Sequence, residues 1–359
     1  MGRVRPFIVD DIPQVVGLSM RLFPNSACVS PQTQHESFHQ VCFRNPWYDE
    51  ALPSLVHEEE DGRITGFLGV VPRRMSMHGQ TMRVAVSQHL MVEPDRRSTL
   101  AGVQLLKTFL SGPQDLSMAD MAEDISRQLW ERLGGATALL YSLYWWRPLR
   151  PSCYVLSRVG RHRGLAPFAR AAMPLCRVVD ALAARIPRSP FRPAVPQAAA
   201  VDPTVETLLG CLSRFSEDQA LRPEYDSHSL CWLLERVTQE KRYGALQRVV
   251  VQDAKQNILG WYLYYLNPAG MSKVLQIGAR RHALDGVVDH LVYHAWQHGT
   301  IGLFGRLEPR LMNGASRKFG LVIPGSHWML VHSRRPELLQ TIQRGEAFLS
   351  HLEGDLELL

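Results

Sequence analysis

The stretch Val84–Leu106, VAVSQHLMVEPDRRSTLAGVQLL, carries the pattern on which the fold turns. Val84, Val86, Leu90 and Val92 form a β-favouring run, Pro94 cannot continue a ladder, and Leu100, Val103, Leu105 and Leu106 follow at helical spacing. The reading is strand, short basic loop, helix. Such a loop turns the free N–H groups of the helix's first turn outward, where the helix dipole and the guanidinium charges of Arg96 and Arg97 favour a phosphate or pyrophosphate. The segment is an anion site in prospect.

On either side of this stretch the pattern is regular. Val4–Val9 reads as a first strand, and Asp10 or Asp11 caps a helix with Pro13 in its first turn. His35 and His39 share a helix face at i, i+4, without a third metal ligand in view. Turn signals at Asp61-Gly62 and His78-Gly79 then divide an antiparallel meander that delivers the central strand. On that strand, alternation puts Ser87, His89, Met91 and Glu93 on one face and Gln88, Leu90 and Val92 on the other. The next helix stops at Gly112-Pro113; Leu116–Met121 reads as a fifth strand and Glu123–Leu133 as a helix closed by Gly134-Gly135. Asp120, Glu123 and Asp124 cluster where strand passes to helix, placed to cap the helix or to bind a cationic amine. ATALLYSLYWW closes this half of the chain as a strand.

These residues resemble the GNAT superfamily of N-acyltransferases. There the central strand runs into V-x-P-x-x-R-x-x-G-x-G/A and a helix that opens with the pyrophosphate loop of acyl-CoA. Val92, Pro94, Arg97, Gly102, Leu105 and Leu106 fall in register, with Leu100 in place of the first glycine. A glycine there lets the backbone approach the phosphate; a leucine must turn its side chain away or push the ligand out. A second match is DLSMADMAEDISRQLWERLGG, similar to the family's N-x-x-A-x-x-F-Y-E-K-x-G-F. Glu123 stands for the asparagine, Ser126 for the small residue, Leu129 and Trp130 for the aromatic pair, and Glu131, Arg132 and Gly134 for the ending. The family's frequent general acid, a tyrosine, is therefore Trp130, whose indole cannot protonate a leaving thiolate.

The resemblance implies a site. A bulge in the central strand would leave the main chain of Leu90, Met91 and Val92 to pair with the pantetheine arm and polarise the acyl carbonyl. Arg96, Arg97, Ser98, Thr99, Leu100, Ala101 and Gly102 would cradle the pyrophosphate, with Glu123 and Ser126 beside them. For proton transfer the candidates are Glu59 within the run Glu58–Glu60, His89, Glu93 and Asp120 as bases, and Tyr144 or Tyr141 in place of the missing acid. No metal is expected.

Beyond Trp146 the chain turns rich in Arg, Pro and Ala, with a helical middle from Leu175 to Ile186 and the arginines Arg147, Arg150, Arg158, Arg161, Arg163 and Arg170. It reads as a helix-bearing linker whose sharper alternative is contact with a phosphate backbone or anionic lipid. The second half then repeats the first weakly: ILGWYLYYL answers ITGFLGVV, VLQIGARR the central strand, and VVDHLVYHAW the helix after it. No glycine-rich phosphate loop follows Arg280-Arg281, so this copy implies a wall, an acceptor pocket or a dimer surface rather than a CoA site. The tail reads as a closing helix and a short acidic end.

The expectation is an α/β (α+β) chain of two GNAT-like domains, each a mixed, mostly antiparallel central sheet flanked by helices. Residues 1–148 form the acyl-CoA domain, 149–203 the linker and 204–359 the degenerate copy. At 359 residues and 45% hydrophobic content the chain can bury two cores. The net charge of +6 suits an anionic partner such as CoA, nucleic acid or a lipid headgroup, or is merely a mildly basic surface. Six cysteines without C-x-x-C spacing, no apolar signal core and no run of membrane-spanning length point to a soluble cytoplasmic protein. The implied function is transfer of an acetyl or longer acyl group from acetyl-CoA or another acyl-CoA to a small-molecule or peptide amine. The alternatives are a Fem-like transferase using aminoacyl-tRNA and a non-catalytic scaffold.

Overall fold

A computed structural model describes residues 2–23, 30–94, 98–160, 162, 164–186, 189, 191–280, 282–315, 320–325 and 327–354. In chain order the strands are β1 (Arg3–Pro6), β2 (Leu55–Glu58), β3 (Ile64–Met77), β4 (Gln80–Val92), β5 (Leu116–Ala122), β6 (Ala136–Thr137), β7 (Leu143–Pro148) and β8 (Ala199–Val201). They continue as β9 (Leu221–Pro223), β10 (Ala245–Gln252), β11 (Ile258–Leu266), β12 (Met271–Ala279), β13 (Gly302–Arg306), β14 (Leu321–Pro324) and β15 (Trp328–His332). The helices are α1 (Ile12–Leu22), α2 (Pro31–Phe43), α3 (Ser98–Leu110), α4 (Asp124–Arg132), α5 (Pro151–Val159) and α6 (Ala166–Arg185). After them come α7 (Val205–Phe215), α8 (Ser227–Gln239), α9 (Leu284–Gln297), α10 (Pro309–Ala315) and α11 (Pro336–Gln343).

Two mixed sheets share one plan. The first is ordered β1-β2-β3-β4-β5-β15-β6, with β9 added on β3; the second is ordered β8-β10-β11-β12-β13-β7-β14. Taken position by position, β4 beside β5 and β12 beside β13 are the parallel neighbours, and the pairs around them are antiparallel. The repeat read in the sequence is thus a repeat of architecture. The place outside the second parallel strand of each sheet is filled from the other half of the chain: β15 lies against β5, and β7 lies against β13, while β9 on β3 also comes from the second half. The compact units are therefore discontinuous, Met1–Ser142 with Gln219–Leu233 and Ser326–Leu359, and Leu143–Asp218 with Leu234–Gly325. The segment LYWWRP, read as the last strand of the first domain, belongs to the second sheet, and α5, α6 and β8 of the expected linker belong to the second unit. An apolar β-favouring strand suits either sheet, so its own pattern does not choose its partner.

Helices α3 and α4 cover one face of the first sheet, where Leu105, Leu106, Phe109 and Trp130 pack on Leu68, Val70 and Ala85. On the opposite face α1 and α2 bury Ile12, Val15 and Phe38 against Phe67 and Met91. That face continues under the C-terminal segment, with Leu338, Ile342 and Leu349 on Met75, Val84, Val86 and Met118. The first strand ends at Pro6 rather than Val9, because the Asp11 carboxylate captures the Ile8 N–H at 3.0 Å and Arg5 at 2.6 Å and folds the chain into a turn. Ser30 caps α2, accepting the Thr33 N–H at 3.1 Å. Between the closing helix and the expected acidic end, most of which lies outside the described residues, Phe348, Leu349, Ser350, His351, Leu352 and Glu353 are all buried.

Candidate active site

Strands β4 and β5 pair from Val84–Ser87 against Leu116–Ala119 and then part, although β4 runs on to Val92 and β5 to Ala122. The parting has a local cause on each strand. In β4 the register to β3 steps from Phe67↔Met91 to Gly69↔Gln88, so His89 and Leu90 together face Leu68 in a bulge. His89 takes φ 48° and, across the gap, Met121 of β5 takes φ 58°. Left-handed backbone at a non-glycine residue costs of order 1–3 kcal/mol and is found where a site needs it.

The bulge also overturns the expected alternation. Leu90 and Val92 join Ala85 on the α3 and α4 face, and Met91 goes with Phe67 to the other. The Glu93 N–H donates to Thr65 O at 2.9 Å, so alternation makes Met91 with Phe67 the next bonded pair and turns the Val92 N–H and C=O toward the side β5 has left. Leu90 sits within the bulge itself.

Three buried side chains mark the parting on the face that the C-terminal segment covers. Gln88 follows Ser87, the last paired residue of β4; it is 2% exposed, and neither Nε2 nor Oε1 has a hydrogen-bond partner among the described residues. Asp120 is the matching residue of β5, following Ala119; it is buried, and its Oδ1 accepts the Met121 N–H at 2.8 Å. His351 Nδ1 lies 3.7 Å from Asp120 Oδ2, both side chains 1% exposed. A tight turn holds His351 there. Glu353 Oε2 accepts the Ser350 N–H at 2.8 Å, and its Oε1 accepts the Tyr225 hydroxyl at 2.8 Å. Burial first, then the Glu353 charge, holds Tyr225 well above the ordinary phenol range, so it stays a donor. Gly354 passes so close over Asp120 that a Cβ there would stand 2.0 Å from Oδ2. Nearby, the buried Arg73 guanidinium lies 4.6 Å from the Trp47 ring centre and 5.9 Å from that of Trp232.

The other candidates fall elsewhere. Glu93 is clamped by Arg21 at 3.1 Å and Arg63 at 3.0 Å. Glu59 sits in the turn after β2, two strands from the open edge, accepting Thr65 Oγ1 at 3.4 Å. Tyr144, expected beside this cleft, is instead a buried residue of β7 in the second sheet, paired with Arg306 and Ile323. Tyr141 donates its hydroxyl to Ala347 O at 2.7 Å in the core. Trp130 is a core residue too, 2% exposed with its indole N–H on Val331 O at 3.1 Å. The expected capping does not occur: Glu123 is the N-cap of α4 without a side-chain bond, Asp124 accepts the Trp328 indole at 2.7 Å, and Asp120 belongs to the buried pair. Ser126 is half-buried in the first turn of α4.

Arg96 and Arg97 lie outside the described residues. Ser98 and Thr99 open α3 immediately beyond them. Leu100 is 54% exposed, its side chain turned to solvent, whereas Ala101 is buried and Gly102 packs near Val92. Sequence reading missed His351 and Gln88, the first because it sits in a tail read as a closing helix and a short acidic end and the second because alternation grouped it with Leu90 and Val92.

The second sheet carries the same parting, after Val274 and Gly305, with a register step opposite Leu263 and Tyr264. There the open edge is filled. Arg310 donates to Ile277 O on β12 and pairs with the buried Glu308 at 2.8 Å. Tyr262 and Tyr264 meet His290 and His294 of α9 at 2.9 and 2.7 Å, and burial lowers both imidazoles, His294 to about 4.

Two mixed sheets, each parted between its parallel neighbours, give the chain the GNAT-type N-acyltransferase fold twice over. No protein-family model and no curated protein matches it. Among solved structures it is similar to a conserved protein of unknown function, a probable N-acyltransferase, from Enterococcus faecalis V583. The TM-score is 0.58 and the identity 10%, over 95% of this chain and 74% of that one. A GCN5-related N-acetyltransferase from Anabaena variabilis gives a TM-score of 0.58 at 10% identity, over 94% and 74%. Saccharomyces cerevisiae N-myristoyltransferase with bound myristoyl-CoA gives 0.50 at 10%, over 93% and 79%.

Proposed function

We propose that the protein is an acyl-CoA-dependent N-acyltransferase whose chemistry takes place at the parting of β4 and β5. The observation that carries this is the buried Gln88 carboxamide, without a hydrogen-bond partner among the described residues, at the position that matches Asp120 just beyond the last β4–β5 pair, where His351 lies 3.7 Å from Asp120. A buried amide without partners costs roughly 1–3 kcal/mol, a cost that a bound thioester or amide-rich pantetheine arm would remove. In the reaction, Asp120 backed by His351 takes the proton of the acceptor ammonium. The freed lone pair attacks the thioester carbon, and the Val92 N–H donates to the oxygen as negative charge gathers there. The C–N bond forms as the C–S bond breaks, and the second proton of the nitrogen passes to the departing thiolate, so that CoA leaves as the thiol. The basic loop that includes Arg96 and Arg97, with the first turn of α3, holds the pyrophosphate. Acceptors are small-molecule or peptide amines. The filled edge of β12 supports a single acyl-CoA site, in the first unit.

Calorimetry with acetyl-CoA and longer acyl-CoAs, followed by thiol release against an amine panel, tests this. Binding by the wild type that is lost in Arg97→Ala, with turnover lost in Asp120→Asn, is the expected result. Absence of binding, or full binding by Arg97→Ala, refutes it.

A further inference from the structure

Helix α6 is apolar on both sides. Its inner side buries Ala169, Asp180 and Ala184. Directly opposite, Phe168, Leu175, Val178, Val179, Leu182 and Ile186 recur at helical spacing and are 63, 68, 55, 47, 55 and 60% exposed. A helix of 20 residues is about 30 Å long, so the stripe is a continuous ridge rather than scattered surface apolar residues. Arg170, Arg177 and Arg185 are exposed along its flank. The sequence from Arg147 to Arg192 contains ten arginines and a single carboxylate. That carboxylate, Asp180, is turned inward, accepting the Ser152 and Cys153 N–H groups at 2.9 and 3.0 Å. The outer side of α6 thus combines an apolar ridge with arginines that make no ion pair among the described residues.

The geometry points to an anionic lipid surface as the occupant: we infer that α6 lies in the membrane interface, ridge inward and arginines at headgroup level. Among the described residues no helix is long and apolar enough to cross a bilayer, so the contact is peripheral. Between α5 and α6 an open pocket of about 440 Å³ has an apolar floor of Leu156, Ala169 and Met173 with Arg170 and Arg177 at its rim, suited to a phosphate headgroup and the start of its acyl chain. A second copy of the chain fits this ridge less well, because a two-fold contact through α6 would set the arginine flanks against each other.

Vesicle sedimentation of the full chain tests the inference, using phosphatidylcholine alone and phosphatidylcholine mixed with phosphatidylglycerol. Binding should require the anionic lipid, weaken with salt, and fall about fivefold for each of Arg170→Gln and Arg177→Gln. Leu175→Ser/Leu182→Ser should abolish it with an unchanged melting temperature, since both side chains are exposed. Equal binding to both vesicle types, no binding, or retained binding by the double serine variant overturns the inference. So does a concentration-dependent dimer lost in that variant without vesicle binding, which would assign the ridge to a second copy.

Discussion

Replacing Gln88 by leucine separates stability from function at the parted strands. The Gln88 side chain is 2% exposed, and both polar atoms of its carboxamide are unpartnered among the described residues. Leucine is close to it in size and shape, so the substitution removes two desolvated polar atoms without opening a cavity. Relief of about 1–3 kcal/mol is expected, and a unit of this size gains about 2–4 °C in melting temperature for each kcal/mol. Urea and thermal unfolding followed by tryptophan fluorescence measure this gain. Acyl-CoA at about 100 times its Kd should stabilise the wild type by about 2.7 kcal/mol through mass action, and the Gln88→Leu variant by less at the same concentration. Acyl transfer should fall at least tenfold, because the polar contact offered to the substrate is gone. A variant that is less stable than wild type would mean that the carboxamide already has a partner in the free protein. One that is more stable yet fully active would remove Gln88 from the site. Either result refutes the reasoning.

Gly354→Ala should displace the tail from Asp120, since a Cβ would stand 2.0 Å from its carboxylate, and lower turnover without altering CoA affinity by calorimetry. Leu100→Gly should change CoA affinity little, because the leucine side chain already faces solvent, while costing about 1 kcal/mol in helix stability; a large gain in affinity would show that Leu100 obstructs the loop. Trp130→Ala should cost about 3–5 kcal/mol in unfolding experiments and leave turnover per folded molecule unchanged, as expected of a core residue bonded to Val331 O. The second unit should lose stability as pH falls from 6.5 toward 4. Burial holds His294 neutral in the fold down to about 4, whereas the unfolded imidazole takes up its proton near 6.5, so acid favours unfolding. After discount for its partial exposure the effect is about 1–2 kcal/mol, and His294→Gln should flatten the unfolding free energy across that range.

The fold was legible because it rests on features that single segments carry. Pro94 after Val92, glycine at the Asp61-Gly62 and His78-Gly79 turns, and the stop at Gly112-Pro113 each mark a boundary by backbone chemistry alone, and the two halves echo one another closely enough to show the repeat. The candidate site was legible in part. Asp120 and the backbone of Val92 lie at the parting, where the strand pattern puts them. Tyr144 was misplaced because an aromatic strand does not declare which sheet completes it. Gln88 was grouped with Leu90 and Val92, whereas one extra residue at His89 reverses every side chain beyond it and puts them on the opposite face from Gln88. His351 lies far along the chain from Asp120, in a tail whose glutamates suggest solvent until Tyr225 and Ser350 are found to satisfy Glu353.

The crossed placement of β7 and β15 bears on how the molecule comes into being. When the ribosome has released only residues 1–142, the outer edge of β5 has no neighbour, and β15, which will cover it, follows the whole of the second unit. The first sheet is therefore completed only after the second unit has been synthesised, with a bare strand edge waiting through that interval, when a chaperone has most to protect. A gene cut after codon 148 would not yield two working halves, since the first product would lack β9 and β15 and keep β7 with no sheet to join, and the second would lack β7 and carry β9 and β15 with nowhere to dock.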